Sequence, residues 1–145
     1  MGKEFVSNQV INGTWGEMWF DDDYVGEVEA CSGKINITYE DVTRVRHLMK
    51  GKKMTATEGA GSFKLHHVRT TISKKIADSI RSGKTPRFKI ISKLADPDAL
   101  GAERVAFYDC KVDNAILLDW EAGKLSEESY NFTYEDWEFL DTIIA

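Results

Sequence analysis

Apolar and polar residues alternate with a period of two along most of this chain, and this pattern constrains the fold more than any other feature. In RFKIISKL, Phe88 and Ile90 occupy alternate positions, and in SYNFTYEDWEF so do Tyr130, Phe132 and Tyr134. Alternate residues of a β-strand point to the same face of a sheet, so each run can bury one face and expose the other. The pattern therefore predicts a mainly β protein.

One segment has helical periodicity instead. In TTISKKIADSIRSGK, Ile72, Ile76 and Ile80 recur every four residues and form one apolar stripe. A threonine at the start can cap the N-terminus of a helix, and Gly83 is suited to follow its C-terminus. The sequence predicts a single α-helix beside the strands.

Two local irregularities are predicted within the strands. In YVGEVEACSGKINITY the apolar positions are even up to Ala30 and odd from Ile35, which predicts a β-bulge near Gly33. Farther along, RVAFYDCKV and AILLDWE are expected to form a hairpin with its turn at Asp113–Asn114.

The segment EDVTRVRHLMKGKKMTATEGAGS alternates only weakly, is poor in large core residues and has a basic turn, KGKK, at its midpoint. Such a segment cannot bury much apolar surface by itself. We predict that it forms a hairpin or long loop, at about residues 40–60, that projects from the body and gains order from a neighbouring chain. Because 145 residues fit one domain, the prediction is a single domain, 1–145, with this projection.

The net charge of −5 conceals a strong segregation along the chain. Residues 1–41 carry a net charge of −7, residues 42–94 of +12 and residues 95–145 of −10. The basic middle can bind an external anion such as nucleic acid, meet the acidic segments of an identical copy, or be solvated charge with no partner. The basic segment lacks exposed aromatic residues on which bases could stack, since Phe63 and Phe88 are both predicted to be core.

No pattern indicates catalysis, a cofactor or a metal site. Gly59 and Gly61 precede a predicted strand rather than a helix, so we interpret them as a tight bend or a close approach of two backbones, not as a phosphate loop. His66 and His67 are adjacent on a strand and point to opposite faces, which makes a shared metal ion unfavourable. The sequence has no nucleophile motif, and its two cysteines lie in alternating apolar stretches typical of core positions.

The order of these segments resembles the tail tube proteins of contractile phages and phage-like particles, in particular those of defective prophage elements in Gram-positive bacteria. The stretches that carry the resemblance are NGTWGEMWFDD, EGAGSFKLHHV before a helix, SGKTPRFKIISKLADPDALGAERVAFYDCKVD and EESYNFTYEDWE, which span nearly the whole chain. The resemblance implies a small β-sandwich or barrel with one flanking helix and no enzymatic activity. It also implies hexameric rings that stack into a hollow tube within a contractile sheath, and an extended loop at about residues 40–60 that reaches neighbouring subunits.

The resemblance therefore favours a structural subunit of a phage tail or of a bacteriocin-like particle, with no cofactor. Its expected partners are further copies of itself, the tail sheath protein, and the baseplate and tail-terminator proteins, with DNA only as passing cargo. The alternative is a basic-faced β-domain that binds nucleic acid as a monomer. The residues predicted to make contacts between subunits or rings are basic: Arg44, Arg46, Lys50, Lys52 and Lys53.

Assembly in the bacterial cytoplasm is expected, with the product forming part of a virion tail or phage-tail-like particle. The N-terminal residues MGKEFVSNQV lack the apolar core of a signal peptide. No apolar run approaches the roughly 18 residues that a membrane span requires, so membrane insertion is not expected.

Overall fold

A computed structural model of the chain describes residues 4–144. Most of its regular structure is β. The strands are β1 (Gly16–Phe20), β2 (Asp23–Tyr24), β3 (Val28–Val42), β4 (Gly51–His66), β5 (Phe88–Leu94), β6 (Glu103–Val112), β7 (Glu127–Tyr134) and β8 (Asp136–Asp141). Within the described residues there is one α-helix, α1 (Thr71–Arg81), and two short 3-10 turns, Ser7–Gln9 and Gly13–Trp15, precede β1.

The strands form one antiparallel sheet in the order β2-β1-β5-β6-β7-β4-β3, with β8 added to β6. β6 changes partners along its length. Its first part pairs with β5 and β8, whereas Lys111 and Val112 pair with β7. This change of partner follows Asp109, which has a positive φ of 52°. As a result, the two halves of the sheet face each other across the core. This architecture confirms the predicted mainly β fold with one helix.

Aromatic rings from both halves of the sheet fill the core. The ring centroids of Phe107 and Tyr134 lie 4.7 Å apart, and those of Phe20 and Phe63 lie 6.0 Å apart. The apolar residues predicted to alternate on β5 and β7 are all buried: Phe88, Ile90, Tyr130, Phe132 and Tyr134. The period-two pattern therefore identified the inward face of these strands correctly.

The helix α1 covers part of this core with its first two turns. Ile72 and Ile76 are buried, whereas Ile80, the last residue of the predicted stripe, is exposed. Gly83 follows the helix with a φ of 77°, a conformation that glycine adopts without steric cost. The helix and its C-terminal glycine are as predicted, but the buried stripe is shorter, and Thr70 at the N-terminus makes no side-chain capping hydrogen bond.

The bulge predicted near Gly33 is misplaced. The register of β3 against β4 shifts between Val28 and Ala30, where Glu29 is the extra residue. The bulge brings Val28 and Cys31 to the same face, and both pack against the core. The change of phase therefore occurs before Ala30, which lies on the exposed side.

The hairpin predicted at Asp113–Asn114 is also wrong. β6 pairs with β5, β7 and β8, and the residues that follow it form an irregular segment that we name the 115–126 loop. Ala115 and Ile116 pack against the core, but the following Leu117 is exposed. A short apolar run does not by itself specify a strand, because periodicity is undefined over so few residues.

Burial makes the thiol of Cys110 a poor nucleophile in the folded protein. Cys110 is fully buried, and desolvation raises its pKa to about 12. Burial also raises the pKa of Cys31 above the ordinary thiol value. We expect Cys110 to react with an alkylating reagent at pH 8 about a thousandfold more slowly than an unfolded cysteine, because the thiolate is the reacting species. Timed labelling with mass spectrometry tests this, and rapid labelling of Cys110 in the folded protein would contradict its place in the core.

Candidate functional site

The antiparallel pair β3–β4 is the longest feature of the fold and extends beyond the rest of the sheet. β7 pairs with β4 only from Gly59 to His66. Residues 36–58 therefore form a ladder in which β3 and β4 pair only with each other, from Asn36↔Glu58 outward. At about 3.3 Å per residue this projecting ladder extends about 20 Å beyond the sheet, before its connecting loop. We name the connecting loop, residues 43–50, the hairpin tip.

The five basic residues proposed for subunit contacts all lie at this outer end. Arg44, Arg46 and Lys50 belong to the hairpin tip, and all five are exposed. Lys52 and Lys53 belong to β4, so the predicted KGKK turn is wrong and the real turn lies earlier. Lys52 Nζ donates to Asp41 Oδ1 at 2.8 Å across the ladder. The other four make no ion pair with any residue from 4 to 144.

The hairpin tip is apolar as well as basic, a property that the sequence patterns above did not predict. Val45 and Met49 expose 89% and 82% of their surface, and Leu48 is fully exposed. Large apolar side chains this exposed on a projecting element are typical of surfaces that another molecule covers. The available signal was three large apolar residues within an eight-residue turn, TRVRHLMK, where turn chemistry favours small polar residues.

The glycines of EGAGSFKLHH lie inside β4, so the expectation of a tight bend is wrong. Gly59 pairs with Tyr134 and Gly61 pairs with Phe132 on β7. A Cβ atom at Gly59 would lie 2.5 Å from the Tyr134 ring, and one at Gly61 would lie 2.4 Å from the Phe132 ring. The glycines thus leave room for aromatic rings. Of these two glycines, only Gly61 also lies close to a neighbouring backbone, because a Cβ added there would lie 2.6 Å from the Ser32 carbonyl oxygen.

A buried carboxylate, also missed from the sequence, ties α1 to β7. Glu128 is 2% exposed and accepts hydrogen bonds from the hydroxyls of Ser73, at 2.8 Å, and Tyr130, at 2.6 Å. His67 Nδ1 lies 3.1 Å from the other carboxylate oxygen. Desolvation, followed by the hydrogen bond to Glu128, raises the pKa of Tyr130, so its hydroxyl remains a donor. Glu128 and Tyr130 are two positions apart on β7 and therefore point to the same, inward face. This spacing was the sequence signal for the burial of Glu128.

Replacing Glu128 with glutamine is expected to lower the free energy of unfolding by about 1–3 kcal/mol, because a neutral amide oxygen accepts the two hydroxyl donors less strongly than a carboxylate does, and the amide NH2 would replace the oxygen that faces His67 Nδ1. Urea denaturation measures this. Glu127→Gln is the matched control: Glu127 is exposed and pairs with Lys64, so its loss is expected to cost less than about 1 kcal/mol. Equal effects of the two substitutions would contradict a structural role for the buried cluster.

His66 and His67 contact different groups. His66 Nε2 lies 3.2 Å from Glu29 on the outer face of the sheet, and the ligand atoms of Glu29, His66 and Glu127 lie within 4.8 Å of one another. The Lys64 ammonium lies among them, 2.7 Å from Glu127, and this pairing raises the pKa of Lys64 and lowers that of Glu127. We interpret the cluster as an exposed ion-pair network.

Among the described residues, no helix is both long and apolar enough to cross a membrane.

Comparison with solved structures finds the same fold in chains of several assembled particles. The chain is similar to a chain of the anti-feeding prophage cap (AFP tube terminating cap), with a TM-score of 0.73, 8% identity and 97% coverage of both chains. It is also similar to a chain of the PVC sheath-tube complex of an extracellular contractile injection system, with a TM-score of 0.73, 9% identity and coverage of 96% and 100%. A chain in the virion of the native gene transfer agent particle matches with a TM-score of 0.54, 12% identity and coverage of 90% and 98%.

At the sequence level, no protein of curated function has significant similarity to the chain. The family model described as phage tail tube protein, however, matches residues 3–141, which is almost the whole chain. The match covers the projecting hairpin, the helix and every strand of the sheet. The chain therefore belongs to the phage tail tube protein family, whose members are structural components and not enzymes.

Proposed function

We propose that this protein assembles into hexameric rings that stack to form the hollow inner tube of a contractile phage tail or a bacteriocin-like particle. The observation that carries the proposal is the β3–β4 hairpin. Residues 36–58 pair only with themselves, yet Ile37, Tyr39 and Met54 on this ladder are exposed. Burying such side chains against further copies would stabilise an assembly by roughly 25 cal/mol per Å² of apolar surface.

The free edge of β3 supports the same proposal. β3 has 15 residues and pairs along one side only, with β4, in the described chain. A long edge strand offers unpaired N–H and C=O groups that invite pairing with another chain. In a closed ring this edge would be covered by the next subunit, as expected for a heterologous contact that closes by rotation.

The particles that contain the similar chains support the six-fold order and the partners. One similar chain comes from an anti-feeding prophage baseplate that is 6-fold symmetrised, with a TM-score of 0.60 and 10% identity, and another comes from a gene transfer agent tail with C6 symmetry. Others come from sheath-tube and sheath/tube terminator complexes. By analogy, the proposed partners here are the tail sheath, baseplate and tail-terminator proteins, with DNA only as passing cargo. Assembly is proposed to occur in the bacterial cytoplasm.

Negative-stain electron microscopy of the purified protein, at two concentrations and without nucleic acid, tests the proposal. We expect rings or hollow rods of even width whose number rises with concentration. A particle that stays monomeric at both concentrations, and binds nucleic acid with an affinity that falls steeply with salt, would instead support the monomeric nucleic-acid-binding alternative.

A further inference from the structure

We propose that the hairpin tip of one subunit docks onto the 115–126 loop of a second copy of this chain. The inference rests on the proposed tube function and names the surface that receives the hairpin. Both elements are exposed, both combine apolar side chains with charge, and the residues that flank Leu48 in the tip and Trp120 in the loop carry charges of opposite sign.

The 115–126 loop presents a group of apolar side chains without a partner in the described chain. Leu117, Leu118, Trp120 and Leu125 are each between 72% and 86% exposed. Trp120 and Leu125 line a pocket of about 320 Å³ between the loop and the ends of β4 and β7, together with charged residues of both signs, among them Glu121 and Lys124. A single aromatic side chain beside a pocket is a common anchor in protein interfaces. The loop therefore has the shape and composition of a receiving surface.

Two carboxylates of the loop are complementary to the cations of the hairpin tip, whereas Lys124, beside Leu125, has the same sign as the tip. Asp119 and Glu121 flank Trp120, and neither makes an ion pair with any described residue. The tip places Arg46 and Lys50 on either side of Leu48, also without ion pairs in the described chain. Apolar contact between Leu48 and the loop leucines would leave both tip cations free to pair with the loop carboxylates. Such opposite charges at the rim of an apolar contact fix its orientation.

The two elements cannot meet within one subunit. The loop is fastened to the inner end of β4, where the His67 amide donates to the Ser126 carbonyl oxygen at 2.9 Å. The tip joins the outer end of β4, at Gly51. The 16 residues of this strand separate the two elements by about 50 Å. Their contact must therefore join different copies head to tail, which is the open-ended geometry that stacking requires.

A competing receiving surface exists on β8, where Asp136 has no cationic partner in the described chain but Glu138 and Asp141 are already engaged. Phe139 is exposed and lies beside Glu138. Glu138 accepts a hydrogen bond from the Tyr108 hydroxyl at 3.0 Å, and Asp141 pairs with Arg104 at 3.2 Å. The cations of the tip would have to displace these partners, whereas at the loop they would not.

Site-directed disulfide crosslinking tests the contact. Purified Leu48→Cys and Leu118→Cys variants are mixed, allowed to assemble, oxidised mildly and run on a non-reducing gel. We expect covalent dimers from the mixture and none above the wild-type background from either variant alone, because a head-to-tail contact joins unlike residues. Phe139→Cys replaces Leu118→Cys as the matched control, since it places a thiol on the competing exposed apolar surface. The wild-type chain controls for Cys31 and Cys110.

The outcomes separate this inference from the proposed function. Wild-type tubes together with an efficient Leu48–Leu118 crosslink support both. Wild-type tubes in which Leu48→Cys crosslinks to Phe139→Cys, or fails to crosslink to Leu118→Cys, overturn the docking inference and leave the tube intact. A Leu48–Leu118 crosslink without rings or tubes supports the contact and counts against the tube, and a chain that neither assembles nor crosslinks overturns both.

Discussion

Replacing Lys50, Lys52 and Lys53 together with glutamate is expected to abolish tube growth while leaving the subunit folded. The substitution turns a basic end of the hairpin into an acidic one, and the surfaces available on a neighbouring copy come largely from acidic segments. At an interface, opposing like charges are unfavourable. A loss of about 3 kcal/mol per contact would raise the concentration needed for assembly about a hundredfold. The three side chains are exposed and outside the core. The change breaks the exposed Lys52–Asp41 pair and places like charges opposite Asp41 and Glu40 across the ladder, which is expected to cost about 1–2 kcal/mol, and the fold is expected to tolerate this.

Sedimentation of assembled tubes, with electron microscopy of the pellet, measures the expected loss, and circular dichroism with thermal melting checks the fold. The matched control is Lys74→Glu, Arg81→Glu and Lys84→Glu, which makes the same charge change on α1 and the turn after it. Normal tubes from the control and none from the hairpin variant would assign the effect to the hairpin. Normal tubes from the hairpin variant would argue against a role for these lysines in assembly.

Much of the fold followed from the sequence because its strongest signals were local. The alternation at Tyr130, Phe132 and Tyr134 and the four-residue spacing of Ile72 and Ile76 each identify a buried face without knowledge of any neighbour. Such patterns reflect which side of an element meets the core, and burial of apolar surface is the largest favourable contribution to folding. The family resemblance then placed these elements in the correct overall architecture.

The features that could not be predicted depend on contacts between distant residues. The role of Gly61 depends on the Phe132 ring opposite, 71 positions along the chain, and the burial of Glu128 depends on Ser73 from the helix. The exposure of Leu117 and Leu118 arises because β6 pairs with β5, β7 and β8 and not with the segment that follows it. The candidate site was identified as a basic projection, but its apolar component was missed because Leu48 and Met49 lack any periodic context.

Substituting valine for Gly61 is expected to lower the free energy of unfolding by about 3 kcal/mol or more. The new Cβ would lie 2.4 Å from the Phe132 ring on one side and 2.6 Å from the Ser32 carbonyl oxygen on the other. The ring cannot move away freely, since Phe132 is 2% exposed and packs against Phe107 at a centroid distance of 5.6 Å. Urea denaturation of the isolated subunit measures the loss.

Two further experiments show which neighbouring group makes glycine necessary at position 61. Gly13→Ala is the control for removing a glycine, because a Cβ at Gly13 has no neighbouring atom within 4 Å, and its cost is expected to be well under about 1 kcal/mol. In a double-mutant cycle, Phe132→Leu is expected to offset part of the cost of Gly61→Ala, because a smaller side chain would vacate the space that the new methyl group needs. Additive costs in that cycle would mean that the Ser32 backbone, and not the aromatic ring, makes glycine necessary in this strand.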